Sequence, residues 1–241
     1  MPDPLLTGNI RTSGFAGRRK GKPLSKYRTE LVESLLPQLA VPALSGDSLV
    51  DLETLFGDFP PTAPLWLEIG YGGGEHLAAQ ARQQGDVRFL GAEPFINGTA
   101  ALLAQISGSD SSNIRLWQED ARLLIDSLPD SCLDRVFLLF PDPWPKSRHH
   151  KRRFVSASNL DALARVMKVG AEFIFASDHL EYTRWSLSHL LRHPDFEWTA
   201  RRPDDWRNRP ACEGVATPQT RYESKALARG DKCIYLRFQR H

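Results

Sequence analysis

An α/β fold built on one mostly parallel seven-stranded sheet, with helices on both faces and an antiparallel last strand, is what this sequence predicts. Three observations carry the prediction. After Pro64, short apolar runs alternate regularly with segments of helical periodicity. The first of these runs passes straight into a glycine-rich turn. The length of 241 residues, 41% hydrophobic and 25% charged, suits one large domain with a substantial core.

Residues 1–28 read as a flexible basic arm, because Arg11, Arg18, Arg19, Lys20, Lys22, Lys26 and Arg28 are interspersed with glycines and no acidic residue. Residues 29–64 read as an N-terminal helix near 30–36 and a proline- and glycine-containing connection with one helical turn near 49–56. Residues 65–241 form the main domain. Its strands are expected at 65–69, 88–92, 114–117, 133–140 and 172–176, with 196–199 and 233–238 closing the sheet. Helices are expected at 76–84, 98–106, 121–128, 155–166 and 181–191.

Several function classes fall away on composition. No apolar stretch approaches the length of a bilayer span, and Met1 is followed by Pro2, Asp3 and Pro4 instead of a signal-like run. Cys132, Cys212 and Cys233 are odd in number and lack metal-ligand spacing, so neither a disulfide framework nor a metal site is expected, and a reducing cytoplasm fits. The net charge of +2 is uninformative until the placement of charge is considered. Nothing in the pattern separates a monomer from a homodimer.

The turn Gly70-Tyr71-Gly72-Gly73-Gly74 follows the first strand, where an α/β sheet lets a ligand approach the backbone. Glu75 stands where a dinucleotide fingerprint has its third glycine, and Glu68 precedes the loop. Two carboxylates there would repel a diphosphate and suit a ligand carrying positive charge, such as the sulfonium and amino group of S-adenosylmethionine. Glu93 ends the second strand, placed for a ribose diol, and Asp120 ends the third, placed for an adenine amino group. Any one of them fits an ordinary solvated strand end; three after three successive strands form a pattern.

The most specific segment, Phe140-Pro141-Asp142-Pro143-Trp144-Pro145-Lys146, lies after the fourth strand and leads into a basic run. Its prolines stiffen the turn and fix the directions of Asp142, an acceptor, and of Trp144, a ring on which a base can stack. With Glu93-Pro94, Asp120-Ala121, Ser177-Asp178 and Thr220-Arg221-Tyr222-Glu223-Ser224-Lys225, these motifs closely resemble the bacterial tRNA (guanine-N7-)-methyltransferases. They run in family order from about Leu65 to the C-terminus; before Pro64 only the basic character matches.

The resemblance implies a Rossmann-like class I methyltransferase that binds S-adenosylmethionine and methylates N7 of guanine-46 in the tRNA variable loop. It assigns Glu68, Gly70, Gly72, Gly74, Glu93, Asp120 and Asp142 to the cofactor, with Asp142 also the catalytic candidate. Lys146, Asp178, Thr220, Arg221, Tyr222 and Glu223 match substrate-associated positions, and Arg148, His149, His150, Lys151, Arg152 and Arg153 an RNA-contacting run. Two departures stand out: Ser177 where the family usually has threonine, and an individual stretch from Asn208 to Pro218.

Guanine N7 is an sp² nitrogen with a free lone pair, so its attack on a methyl group needs no base, and orientation dominates. A fixed carboxylate favours the positive charge that reaches the purine ring, the role for which Asp142 is the candidate; holding the cofactor's amino group or the guanine edge stays equally open. Arg201, Arg202, Arg207 and Arg209 beside Trp206 extend the basic rim that phosphates would contact. Two other readings fit part of the pattern: an RNA-binding protein that kept the fold without the chemistry, and a methyltransferase acting on an exocyclic amine.

Overall fold

The computed structural model describes residues 17–44, 48–212, 215–216 and 218–241, so the first half of the expected basic arm lies outside the described residues. Alternation of apolar residues along the strands decides the layering. In β1 (Leu65–Ile69), Leu65, Leu67 and Ile69 pack on one face of the sheet and Trp66 on the other, and all are buried. β2 (Arg88–Ala92), β3 (Ile114–Trp117), β4 (Leu133–Leu139) and β5 (Met167–Ser177) join β1 in a parallel sheet of order β3-β2-β1-β4-β5. Beyond β6 (Phe196–Trp198) and a separate ribbon of β7 (Ala211–Cys212) and β8 (Val215–Ala216), β9 (Ile234–Arg240) inserts antiparallel between β5 and β6. The seven-stranded sheet and its antiparallel last strand are as the sequence predicts.

On the Trp66 face lie α1 (Lys26–Ser34), α2 (Leu36–Leu39) and, after α3 (Leu52–Leu55), α4 (Glu75–Gln83) and α5 (Ile96–Ile106). Leu77, Leu102 and Leu103 meet Phe89, Phe137 and Ile174 there. The opposite face is covered by α6 (Ala121–Ser127), α7 (Ala157–Val166) and α8 (Leu180–Arg192), whose Leu124, Leu163, Tyr182 and Leu190 pack on Leu67, Val136, Phe173 and Phe238. After the short α9 (Asp204–Arg207), α10 (Arg221–Ala228) buries Ala226 against Ala176, Cys233 and Tyr235.

The first three strands begin and end where the sequence places them. β5 starts earlier, at Met167: an exposed Val169, a left-handed Gly170 (φ +87°) and a register shift against β4 disguise its first half as a loop. Helix α1 starts at Lys26, capped by Ser25, inside the segment expected as a flexible arm. Residues 19–22 of that segment are laid on the start of α5: Gly21 N donates to Asn97 Oδ1 at 2.7 Å, Asn97 Nδ2 to the Lys22 carbonyl at 2.7 Å, and Arg19 pairs with Glu119 at 2.7 Å. These anchors are polar, which is why an apolar pattern does not reveal them. Among the described residues, no helix is long and apolar enough to cross a membrane, and no group of three His, Cys, Asp or Glu could hold a metal ion.

Candidate active site

The strand order reverses between β1 and β4, and in such sheets a ligand crevice opens at the carboxyl ends of the strands at that point. The loop after β1 takes φ of +71°, +56° and +78° at Gly70, Gly72 and Gly74, and Gly74 leads into α4. Neighbours fix its shape. Gly72 N donates to Glu93 Oε2 at 2.9 Å, and Gln105 Nε2 donates to the Gly73 carbonyl at 2.6 Å. Gly98 allows the first turn of α5 to press on this loop, since a Cβ there would lie 2.2 Å from the Gly72 carbonyl oxygen.

The predicted carboxylates gather here in different states. Glu68 is buried and bonded to His76 Nδ1 at 2.7 Å, a partner the sequence pattern did not single out. Glu93 accepts Gly72 N–H on one oxygen and Phe95 N–H, at 2.9 Å, on the other, which leaves each oxygen a further lone pair. Burial pushes its carboxyl above the ordinary value, opposed by the two N–H bonds and helped by the charges of Asp142 and Glu68. Gln118 donates to the Glu93 carbonyl at 2.6 Å, while its own Oε1 is buried without a partner among the described residues. Asp120 differs from expectation: it caps α6 and its oxygens are gripped by the Arg122 side chain, so an adenine amino group would have to compete with a guanidinium.

Asp142, in the turn after β4, is near enough to Glu93 for its charge to raise that carboxyl, and it makes no hydrogen bond or ion pair among the described residues. Its side chain is open to solvent, yet the protein packed around the carboxyl raises it above the ordinary carboxylate value. On the far side, Tyr222 reaches over the glycine loop, its ring 3.3 Å from where a Cβ on Gly72 would be. Its phenol is raised, first by burial and then by Glu93 and Asp142.

The basic run after this turn is a 3-10 helix, Ser147–Arg152, and the structure divides it. Lys146, Arg148, Lys151 and Arg152 are exposed, and Arg152 also lies over the Trp144 ring at 4.9 Å, on a face that a base was expected to use. His149 sits edge-on to the same ring and is held below its usual pKa, first by desolvation and then by the surrounding cations. Two members of the expected RNA-contacting run need correction. His150 packs edge-on to Trp185 with Nε2 buried. Arg153 is buried with a fully covered side chain, so it cannot meet a phosphate.

The substrate-associated positions are equally mixed. Thr220 is the N-cap of α10, accepting from Glu223 N at 3.1 Å. Glu223, expected at a substrate-associated position, is instead buried in an ion pair: its carboxylate takes Arg209 Nε at 2.8 Å and the Tyr235 hydroxyl. Arg209, an arginine of the expected RNA rim, is tied through Nε to this buried carboxylate, and a cavity of about 630 Å³ lies beside the cluster, with Trp206 and Lys232 in its wall. Asp178 pairs with Arg229 at 2.8 Å, whereas Arg221 and Tyr222 are exposed.

Residues 62–236 match a family model described as "Putative methyltransferase". Curated relatives named tRNA (guanine-N(7)-)-methyltransferase include one from Rhodospirillum rubrum, 49% identical over 94% of this chain and 87% of its own length. Another, from Chelativorans sp., is 48% identical over 95% of this chain and 96% of its own length. Among solved structures, the 16S rRNA methyltransferase KamB superposes with a TM-score of 0.55 at 15% identity, covering 84% of this chain and 98% of that one. TrmN from Thermus thermophilus gives 0.51 at 13% identity, over 79% of this chain and 47% of that one. At those identities the two structures speak for the fold, which is the class I methyltransferase architecture.

Proposed function

The chain belongs to the bacterial tRNA (guanine-N7-)-methyltransferase family, and on that premise we propose that it transfers a methyl group from S-adenosylmethionine to N7 of guanine-46 in the variable loop of tRNA. The observation that carries the proposal is the gathering of Glu93, bonded to the glycine loop, and of the Asp142 carboxyl, without a hydrogen bond or ion pair among the described residues, at the reversal of strand order. Two raised carboxyls whose charges act on one site favour a ligand that brings positive charge. The fit extends further. Glu93 keeps lone pairs for a ribose diol, Gln118 Oε1 is a buried acceptor awaiting a donor, and the glycines leave room against the backbone.

Bound there, S-adenosylmethionine would supply the methyl group on its sulfonium sulfur. Asp142 would favour the positive charge reaching the purine ring, and no side chain needs to remove a proton from N7. Lys146 is free to meet a phosphate or guanine O6. Arg148, Lys151 and Arg152 supply phosphate contacts that set register without reading the base. A cytoplasmic location, where tRNA is available, is part of this reading.

The test is to incubate tRNA with labelled cofactor, digest it with nuclease and map the methylated atom by mass spectrometry. The proposal expects 7-methylguanosine at the variable loop. Label on an exocyclic amine would instead favour an amine methyltransferase, and tight tRNA binding with no label would favour a binding protein.

A further inference from the structure

Asp142 lies between two residues in the left-handed region: Phe140 at φ +51° and Trp144 at φ +42°. Neither is glycine, so the local chain does not favour this shape and something else must hold it. The carbonyl oxygens of Pro143 and Trp144 meet one side chain, Arg153. Its Nε donates to Pro143 O at 2.9 Å and its Nη2 to Trp144 O at 3.4 Å. The same guanidinium pairs with Glu181 on α8, with Nη1 donating to Oε1 at 3.0 Å, and its carbon lies 5.0 Å from the ring centroids of both Tyr182 and Trp185. The charge is thus fully buried, paired, and stacked on aromatic faces, an arrangement that fixes a planar fork in one orientation.

We propose that Arg153 is a positioning residue for methyl transfer, its buried guanidinium holding the carbonyl oxygens of Pro143 and Trp144 so that the Asp142 carboxyl keeps its place beside Glu93. The inference rests on the reading that this crevice carries methyl transfer. It parts Arg153 from its neighbour Arg152: adjacent arginines of one basic run act inward on the turn and outward on the nucleic acid.

Arg153→Lys keeps the charge but has no planar fork with which to hold two carbonyls and a carboxylate together. In the full chain, this variant should lower the single-turnover rate of tRNA methylation about tenfold or more, as misplacement of a reacting group does. The KM for tRNA and the slope of log affinity against log salt should stay at wild-type values. A rate equal to wild type, or a flattened salt slope like that of an Arg152→Ala protein, overturns the proposal. Should Arg153→Lys fail to fold, Glu181→Ala at the exposed end of the pair decides. A several-fold fall in rate with unchanged KM supports the clamp, and an unchanged rate overturns it. Wild type is measured alongside: if it transfers no methyl to tRNA, the functional reading fails and the proposal with it, whereas an active wild type beside an equally active Arg153→Lys sinks the clamp alone.

Discussion

The loop after β1 and the loop after β4 both carry left-handed residues, but they hold them by different means. The first places glycine at Gly70, Gly72 and Gly74, where a positive φ meets no Cβ. The second places Phe140 and Trp144 there, each at a cost of about 1–2 kcal/mol. Contacts near the first loop complete a shape the chain already favours. The second loop takes its shape from α8, through Glu181, Tyr182 and Trp185 around Arg153. The shape of the glycine loop can therefore be written locally, while that of the Asp142 turn is written in tertiary packing.

The largest expected effect strikes the second loop. Asp142→Asn keeps the shape and removes the charge, and it should lower kcat by about 10²-fold, as loss of one preorganised electrostatic group does. Near-normal single-turnover methylation would reduce Asp142 to a turn residue. The first loop should break by crowding instead: Gly98→Ala drives a methyl group into the Gly72 carbonyl oxygen, so the loop or α5 must shift. A stability loss of about 1–3 kcal/mol by thermal denaturation is expected, with weakened cofactor binding. Wild-type stability together with wild-type cofactor affinity would show that the close approach is not needed.

A smaller effect is expected from pH. Glu93 is raised in the folded protein, mainly by burial, so above its folded pKa it is a buried charge that costs stability. As pH falls from neutral through that raised value, the native state takes up its proton before the unfolded state does, and the cost is relieved. Wild type should therefore gain stability relative to Glu93→Gln over the window between the raised value and the ordinary carboxylate range. Cofactor binding should weaken over the same window, because the ligand needs the ionised form. Parallel denaturation and binding curves at several pH values would check both signs, and a pH-independent difference between the two proteins would contradict the shift.

How much of this is legible in the sequence follows the same division. The glycine loop, Glu93 and the Asp142 turn are short local patterns, each at the carboxyl end of a neighbouring strand of the sheet. The basic run 148–153 is legible only as charge, and charge does not say which way a side chain turns. His150 and Arg153 point inward because Trp185 and Glu181, far along the chain, receive them. Glu223 and Arg209 are likewise an ion pair between distant segments, and the cap at Asp120 depends on the Arg122 side chain folding back. His76 and Gln118 were missed because neither sits in a recognisable motif; their place on the first turn of α4 and just beyond β3 was the only signal.

On the proposed function, one crevice joins an acidic cofactor side, built on β1 and β2, to a basic tRNA side after β4. The most direct test measures both affinities in two variants, Glu93→Ala and Arg152→Ala. Glu93→Ala should lose about 1.5–3 kcal/mol of S-adenosylmethionine binding by calorimetry, as for a hydrogen bond to a charged group, and keep the wild-type salt slope for tRNA. Arg152→Ala should keep cofactor affinity and lose about 0.7–0.9 of that slope. If Glu93→Ala leaves cofactor affinity untouched, or Arg152→Ala leaves the slope untouched, the division of the crevice is contradicted.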